Sequence, residues 1–434
     1  MDKVDHPGRR RLLQAAVGLG CLPLARLAGA TPRSALGTPF PTWRRAMAAN
    51  TWRAIPAANT LQQIDPARNP QLNPYLVGNP NDNRGPWGGA LGQAGVILPW
   101  CGACYDNGSG TLWLPLGGGH GDYAGNEAYG ICLADEIPQW RMPRPPSGSM
   151  PLGQITLADG QEATGNYADG RPRAIHSYNK HVYLPGRGPF CAVQGATFQS
   201  GQAGTQRSLL LNTSNGEWEV RTTHPAAAVE YGGACYDATR DAVWWIGAGT
   251  AWLTRYDVAS NQWDVFTGGT QANYWNYHAL THAPQHDILV MLSAALPQGF
   301  AIWDATTAQL THPGATNSWP AHLGQPGGQA GCQWVPGLNA VALWHNRNVA
   351  TTSAVTLLRA PADPRSQPWT WDTLPVAAGN TVTPTIGQAN GTFGRFGYAP
   401  GLDGFYLLND VDEPVYFFAL SDGDLIFANG FEAA

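Results

Sequence analysis

The feature that most constrains this chain is that it repeats itself. The stretch GGACYDATRDAVWWIGAGTAWLTRYDVASNQWDVF, beginning at Gly232, is answered by GACYDNGSGTLWLPLGGGHGDYAGNEAYGICLADEIPQW, beginning at Gly102. Each reads as a small-residue strand, a polar turn, an apolar strand, a Gly-rich loop, a further apolar strand, a turn and a strand containing tryptophan, which is one four-stranded blade. Weaker copies begin at Arg173, Tyr277, Ala330 and Arg395. Units of this kind recurring every 40 to 50 residues or so are the signature of a β-propeller, because one blade cannot bury its two faces without a neighbour on each side. Trp140, Trp218, Trp263 and Trp371 fall near the ends of their units, where an outer strand covers the next blade. The uneven spacing predicts insertions at residues 147–170 and 192–206. Six blades are visible, and residues 61–100 leave room for a seventh. The last repeat stops after VYFFAL, while NTWRAIPA from Asn50 reads as an isolated fourth strand, so the N-terminal strand is expected to close the ring and remove its open edges.

Composition agrees. Of 434 residues, 53 are Gly, 35 Pro and 18 Trp, and only 13% are charged, which suits many short strands and tight turns in an all-β single β-propeller. The first thirty residues differ. Arg9, Arg10 and Arg11 precede an apolar run from Leu12 to Leu24, and Ala28-Gly29-Ala30 offers small residues for a signal peptidase. The order resembles a twin-arginine export signal. The run is too short and Gly-rich for a dependable membrane span. The expected organisation is a signal peptide at 1–30, a leader at 31–49, the propeller at 50–420 and a short tail at 421–434, with the mature protein periplasmic or extracellular.

Cleavage would remove five basic residues (Lys3, Arg9, Arg10, Arg11, Arg26) and two acidic ones (Asp2, Asp5) from the 25 and 30 of the chain, leaving an acidic excess of about eight. That argues against nucleic acid or an anionic membrane as partner. Lys180 becomes the only lysine, so an anionic ligand must be held mostly by arginine or histidine. Cys101, Cys104, Cys132, Cys191, Cys235 and Cys332 remain. A lone C-x-x-C at Cys101 and Cys104 is a weak redox or metal signal, and its place in a repeated GACYD favours small buried strand residues.

The pattern resembles the kelch and galactose-oxidase-like propellers over most of the mature chain, and GGGHGDYAGNEAY resembles a subgroup of exported bacterial propellers. Such likeness says little about reaction. It does supply geometry: the start of each innermost strand and the loop between the second and third strands share one face. His120, Asp122, Tyr123 and Asn126 then lie in such a loop, as do Arg187, His345, Asn346 and Arg347. Tyr231, Tyr277, His278 and Arg395 lie at inner-strand starts, and His176 within an inner strand.

Those residue types meet the needs of polysaccharide cleavage by β-elimination: a group to neutralise a uronate carboxylate, a base for the adjacent proton and an acid for the leaving oxygen. His120 or His176 would neutralise or act as base, Tyr231 or Tyr277 would transfer the proton, and Arg395 or Arg173 would hold the carboxylate. Tyr123, Asn126, His278 and Asn346 would line the substrate, an acidic polysaccharide or oligosaccharide. Some propeller lyases, including the ulvan lyases, are similar in using His, Tyr and Arg at the channel mouth. Two alternatives stand beside this reading: a non-catalytic propeller binding glycan or protein, and a copper oxidase of galactose-oxidase type, for which no ligand spacing is found. No metal or other cofactor is assigned. A glycosidase would need a carboxylate pair, for which Asp122 and Glu127, or Asp410 and Asp412, are only secondary candidates.

Overall fold

The computed structural model describes residues 40–68, 91–119, 121–147, 165–167, 169–198, 205–225, 231–247, 253–267, 277–293, 296, 298–319, 329–344 and 353–423. All lie in one compact unit, Arg33–Ala434. They form six four-stranded antiparallel sheets, the blades of a propeller. Blade 1 is Cys104–Asp106, Thr111–Leu114, Ala128–Cys132 and Trp140–Arg144; blade 2 is His181–Leu184, Gly188–Cys191, Arg207–Asn212 and Glu217–Thr223. Blade 3 is Gly232–Asp237, Ala242–Gly247, Leu253–Asp257 and Gln262–Phe266; blade 4 is Ala279–Ala283, Ile288–Leu292, Phe300–Asp304 and Leu310–Thr311. Blade 5 is Gly331–Val335, Ala340–Trp344, Val355–Arg359 and Thr370–Leu374. Blade 6 takes Phe396–Ala399, Gly404–Leu407 and Tyr416–Ala419 from the C-terminal end and its outer strand, Trp52–Ala54, from the N-terminal end.

That closure is the one expected from sequence. Trp52 pairs with Phe418 and Ala54 with Tyr416, and the Trp52 ring packs on Trp344 of blade 5 at 5.1 Å and on Phe418 at 5.2 Å. Ahead of the strand, the short helix Thr42–Arg45 inserts the fully buried Arg44, which donates to the carbonyls of Leu402, Asp403 and Ser421 and so pins the leader to blade 6. Among the described residues no seventh blade forms in the room left for one: the described part of residues 61–100 holds the 3-10 turns Leu61–Ile64, Pro66–Arg68 and Gly92–Val96. Trp140, Trp218, Trp263 and Trp371 all sit in outermost strands.

Why the repeat folds this way is visible at the turn between the first and second strands. Asp241, Asp287, Asn339 and Asp403 each stand one residue before a second strand with φ of 47° to 49°. Asp and Asn tolerate the left-handed region because their short polar side chains bond locally, and the corresponding place in blade 1 is Gly110. These turns lie on the lower face and are linked between blades. Arg187 reaches Asp241 at 3.0 Å, Arg240 reaches Asp287 at 2.7 Å, and His286 Nε2 lies 2.6 Å from Asn339 Oδ1. Arg187 therefore belongs to a lower turn and not to a second-to-third-strand loop as expected. Blade 2 is shifted likewise: its inner strand starts at His181, so His176 lies on the approach to that strand rather than within it.

Candidate functional site

On the upper face, where inner strands begin, aromatic side chains converge on the channel. Trp100, Tyr178 and Phe393 precede the inner strands of blades 1, 2 and 6, with φ of 49°, 43° and 49°. A bulky residue held in the left-handed region costs on the order of 1–3 kcal/mol and persists only where its surroundings impose it. Here they do. Tyr178 N–H donates to Trp100 O at 2.7 Å, and a Cβ on Gly102 would lie 2.1 Å from Tyr178 O, so glycine is required there. The Tyr178 ring is the hub, with centroids 5.2 Å from Tyr231, 5.5 Å from Tyr277 and 5.8 Å from Phe393. Tyr231 and Tyr277 are 5.2 Å apart and half-buried. The buried Lys180 ammonium lies 5.1 Å from the Tyr178 ring.

Beside this cluster, His176 Nε2 is 2.7 Å from Asp122 Oδ2, and the Trp100 and His176 rings are 5.2 Å apart. The His176 side chain is 5% exposed and that of Asp122 28%, so the pair is open chiefly from the acid's side. Asp122 crosses from blade 1 to reach blade 2, and the GGGHGDYAGNEAY segment is built to carry it. Gly118 and Gly119 have φ of 104° and 57°, and a Cβ on Gly119 would lie 2.2 Å from His176 N. Asp122 N–H turns back onto Gly119 O at 3.0 Å. Beyond it the loop is anchored inward. Asn126 Nδ2 donates to Ser147 Oγ and Pro172 O, both at 2.8 Å, and Asn126 Oδ1 accepts from Ser147 N–H. The Tyr123 and Tyr129 hydroxyls both donate to Glu127 Oε1, at 2.8 and 2.7 Å.

Glu127 is 2% exposed, and burial pushes its carboxyl up to about 7, against the smaller opposing pull of the two tyrosine hydroxyls. Its Oε2 makes no hydrogen bond and sits under Gly125, where a Cβ would approach it to 2.4 Å. The two tyrosines are pushed well above their usual range, chiefly by burial and then by the Glu127 charge.

Of the residues singled out from sequence, the structure gathers His176, Tyr231 and Tyr277 at the mouth. It puts five others into the wall. Arg395 is fully buried and spends its guanidinium on Cys101 O, Leu408 O and Gly391 O, which clasps blade 6 to blade 1; burial lowers it to about 10. Arg173, 1% exposed, donates through Nε to Asn166 O at 2.9 Å and lies over the Tyr167 ring. Tyr123 and Asn126 brace the loop as described, and His278, 1% exposed, receives Asn179 Nδ2 on its carbonyl. His120 and Asn346 lie outside the described residues. Sequence reading did not join Asp122 to His176 and missed Trp100, Tyr178 and Phe393. The Trp-Cys-Gly and Ser-Tyr-Asn segments just before two inner strands were the available signal.

The six cysteines of the described residues are unpaired, Cys101 and Cys104 included. Among the described residues no three His, Cys, Asp or Glu side chains are grouped so as to hold a metal ion, and no helix is long and apolar enough to cross a membrane. No protein-family model matches the chain, and no curated protein matches it. The chain is a six-bladed antiparallel β-propeller.

Proposed function

We propose that the upper mouth is the working site of an exported propeller that binds an extracellular acidic glycan and cleaves it by β-elimination. The observation that carries this reading is the His176–Asp122 hydrogen bond at 2.7 Å beside a cluster of half-buried tyrosines. A carboxylate on one ring nitrogen orients an imidazole and stabilises its protonated form, which is what a general base requires. His176 would take the proton next to the uronate carboxylate. The electron pair released forms the new carbon–carbon double bond and expels the glycosidic oxygen, which would take a proton from the Tyr231 or Tyr277 hydroxyl. Trp100 and the tyrosine rings supply faces for sugar stacking. The carboxylate itself needs a partner other than Arg395, whose donors face three backbone carbonyls, and Arg173, which is buried in the wall with its Nε on Asn166 O. His120, next in the chain to Gly119, is the candidate we assign to it.

The burial of both arginines favours one second reading, a glycan-binding propeller without turnover. One experiment separates the two. Mature protein is mixed with a panel of uronic-acid polysaccharides, and the ultraviolet absorbance of the unsaturated uronate is followed alongside binding. Absorbance that rises with the wild type and is lost in His176→Ala, with binding kept, supports elimination. Binding with no absorbance change on any polymer refutes elimination and leaves the binding protein.

A further inference from the structure

The channel has a cavity at its lower end. About 390 Å³ of space lies between the inner strands and the lower turns of the first three blades, Asp106–Gly108, Pro185–Gly186 and Ala238. Its wall carries the thiols of Cys104, Cys235 and Cys332 and the rings of Tyr105, Tyr406 and Trp334. Tyr105 and Tyr406 are stacked at 4.9 Å, one from blade 1 and one from blade 6.

Two histidines of that wall have ring nitrogens without a hydrogen bond: His282 at Nε2 alone, its Nδ1 lying 3.5 Å from Asp237 Oδ1, and His181 at both. His181, 6% exposed, makes no hydrogen bond of normal geometry through either ring nitrogen. Burial and the neighbouring Lys180 charge push it down to about 3, and the nearby Gly102 backbone opposes this only weakly, so the ring is neutral and offers one donor and one acceptor. A buried polar group without a partner is costly and calls for an explanation. Other polar groups around the cavity are committed. Gln333 Oε1 accepts from Tyr398 N–H, Thr281 Oγ1 from Trp334 N–H, and Asn179 donates to His278 O. Asp106, the one Asp, Glu, Lys or Arg among the described residues of the wall, is held by Gly108 N–H and Ser109 Oγ in its own turn.

We propose that this lower cavity is a binding site for a small neutral aromatic alcohol or phenol, its hydroxyl on His181 and its ring against Tyr105, Tyr406 and Trp334. No Lys or Arg is among the described residues of the wall to hold an anion, and Asp106 is there to repel one. A sugar would leave most of its hydroxyls facing thiols and ring carbons, at a cost in lost hydration. A single hydroxyl on an apolar ring matches one unpartnered imidazole in a soft, polarisable wall.

The probe is p-cresol, compared with toluene and 4-methylbenzoate, on the mature protein. p-Cresol is expected to raise the melting temperature, to protect Cys235 and Cys332 from alkylation, and to bind about tenfold more tightly than toluene for one hydrogen bond gained; 4-methylbenzoate is expected not to bind. The preference over toluene should vanish in His181→Phe. Should that variant fail to fold, Cys332→Phe, which fills the cavity and keeps His181, must abolish p-cresol binding. Tyr277→Ala, at the other mouth, must leave it intact. Equal binding of p-cresol and toluene to the wild type, or p-cresol binding that survives Cys332→Phe or is lost in Tyr277→Ala, overturns the proposal.

Discussion

Glu127→Gln is the substitution whose effect the structure specifies most fully. The Glu127 carboxyl titrates at about 7 in the fold against an ordinary value of 4.5. Between those values the folded protein keeps a proton that the unfolded chain gives up. The stabilisation is therefore complete below about pH 4.5, declines as pH rises, and is gone above the folded value. A displacement of this size corresponds to roughly 3 kcal/mol. In Glu127→Gln the amide oxygen still accepts the Tyr123 and Tyr129 hydroxyls, but the new NH₂ lies in the place of Oε2, under Gly125, where no acceptor is found. That costs about 1–3 kcal/mol at every pH. Urea unfolding of both proteins at a series of pH values from about 4.5 to 8, read as the difference between them, cancels the other titrating groups. The variant is expected to begin less stable and to gain on the wild type by roughly 3 kcal/mol across the series. A difference that stays flat to within about 0.5 kcal/mol refutes the reasoning, because the carboxyl would then ionise in the fold without penalty.

Arg395→Met leaves the carbonyls of Cys101, Leu408 and Gly391 buried without their donor and unclasps blade 6 from blade 1; urea unfolding is expected to show a loss of about 3–5 kcal/mol. Asp122→Asn keeps the shape of the loop but removes the charge that orients His176; turnover on a cleaved glycan is expected to fall by about 10² or more with affinity little changed. On the acid side, His181 is held neutral down to about 3 while the unfolded chain protonates it near its ordinary 6.5. Its contribution is present above pH 6.5 and is lost as pH falls toward 3, so His181→Gln is expected to flatten the acid limb of the stability profile.

The ring was legible because its determinants are local. Four strands, their polar turns and a terminal tryptophan recur within each unit, and left-handed Asp, Asn or Gly marks each first turn. The phase of blade 2 was not legible. RAIHSYN alternates like a strand and is followed by a turn-like pair, yet its hydrogen bonds go sideways: Tyr178 N–H to Trp100 O in blade 1, and Asn179 O from Ala234 N–H in blade 3. Nothing in the segment announces partners 78 and 55 positions away. The arginines failed as ligands for a related reason. Residue type says that Arg395 can hold a carboxylate, but only the folded chain shows three carbonyls already gathered around it. His176 and Asp122 were each noticed, while the bond between them, across 54 positions and a blade boundary, belongs to the tertiary structure.

The placement of strain bears on where function lies. Positive φ at Asp241, Asp287, Asn339 and Asp403 is cheap, since those side chains suit it and the turns repeat with the blades. At Trp100, Tyr178 and Phe393 the same backbone region is occupied by residues that gain nothing locally, and the three stand together at one mouth. What the strained conformation achieves is to turn three rings toward the channel, beside a histidine whose acid partner is delivered from another blade by a loop of closely fitted glycines. Strain concentrated where rings and a hydrogen-bonded His–Asp pair converge, and replaced by tolerant residues at the turns below, supports our proposal that the upper mouth is the working site.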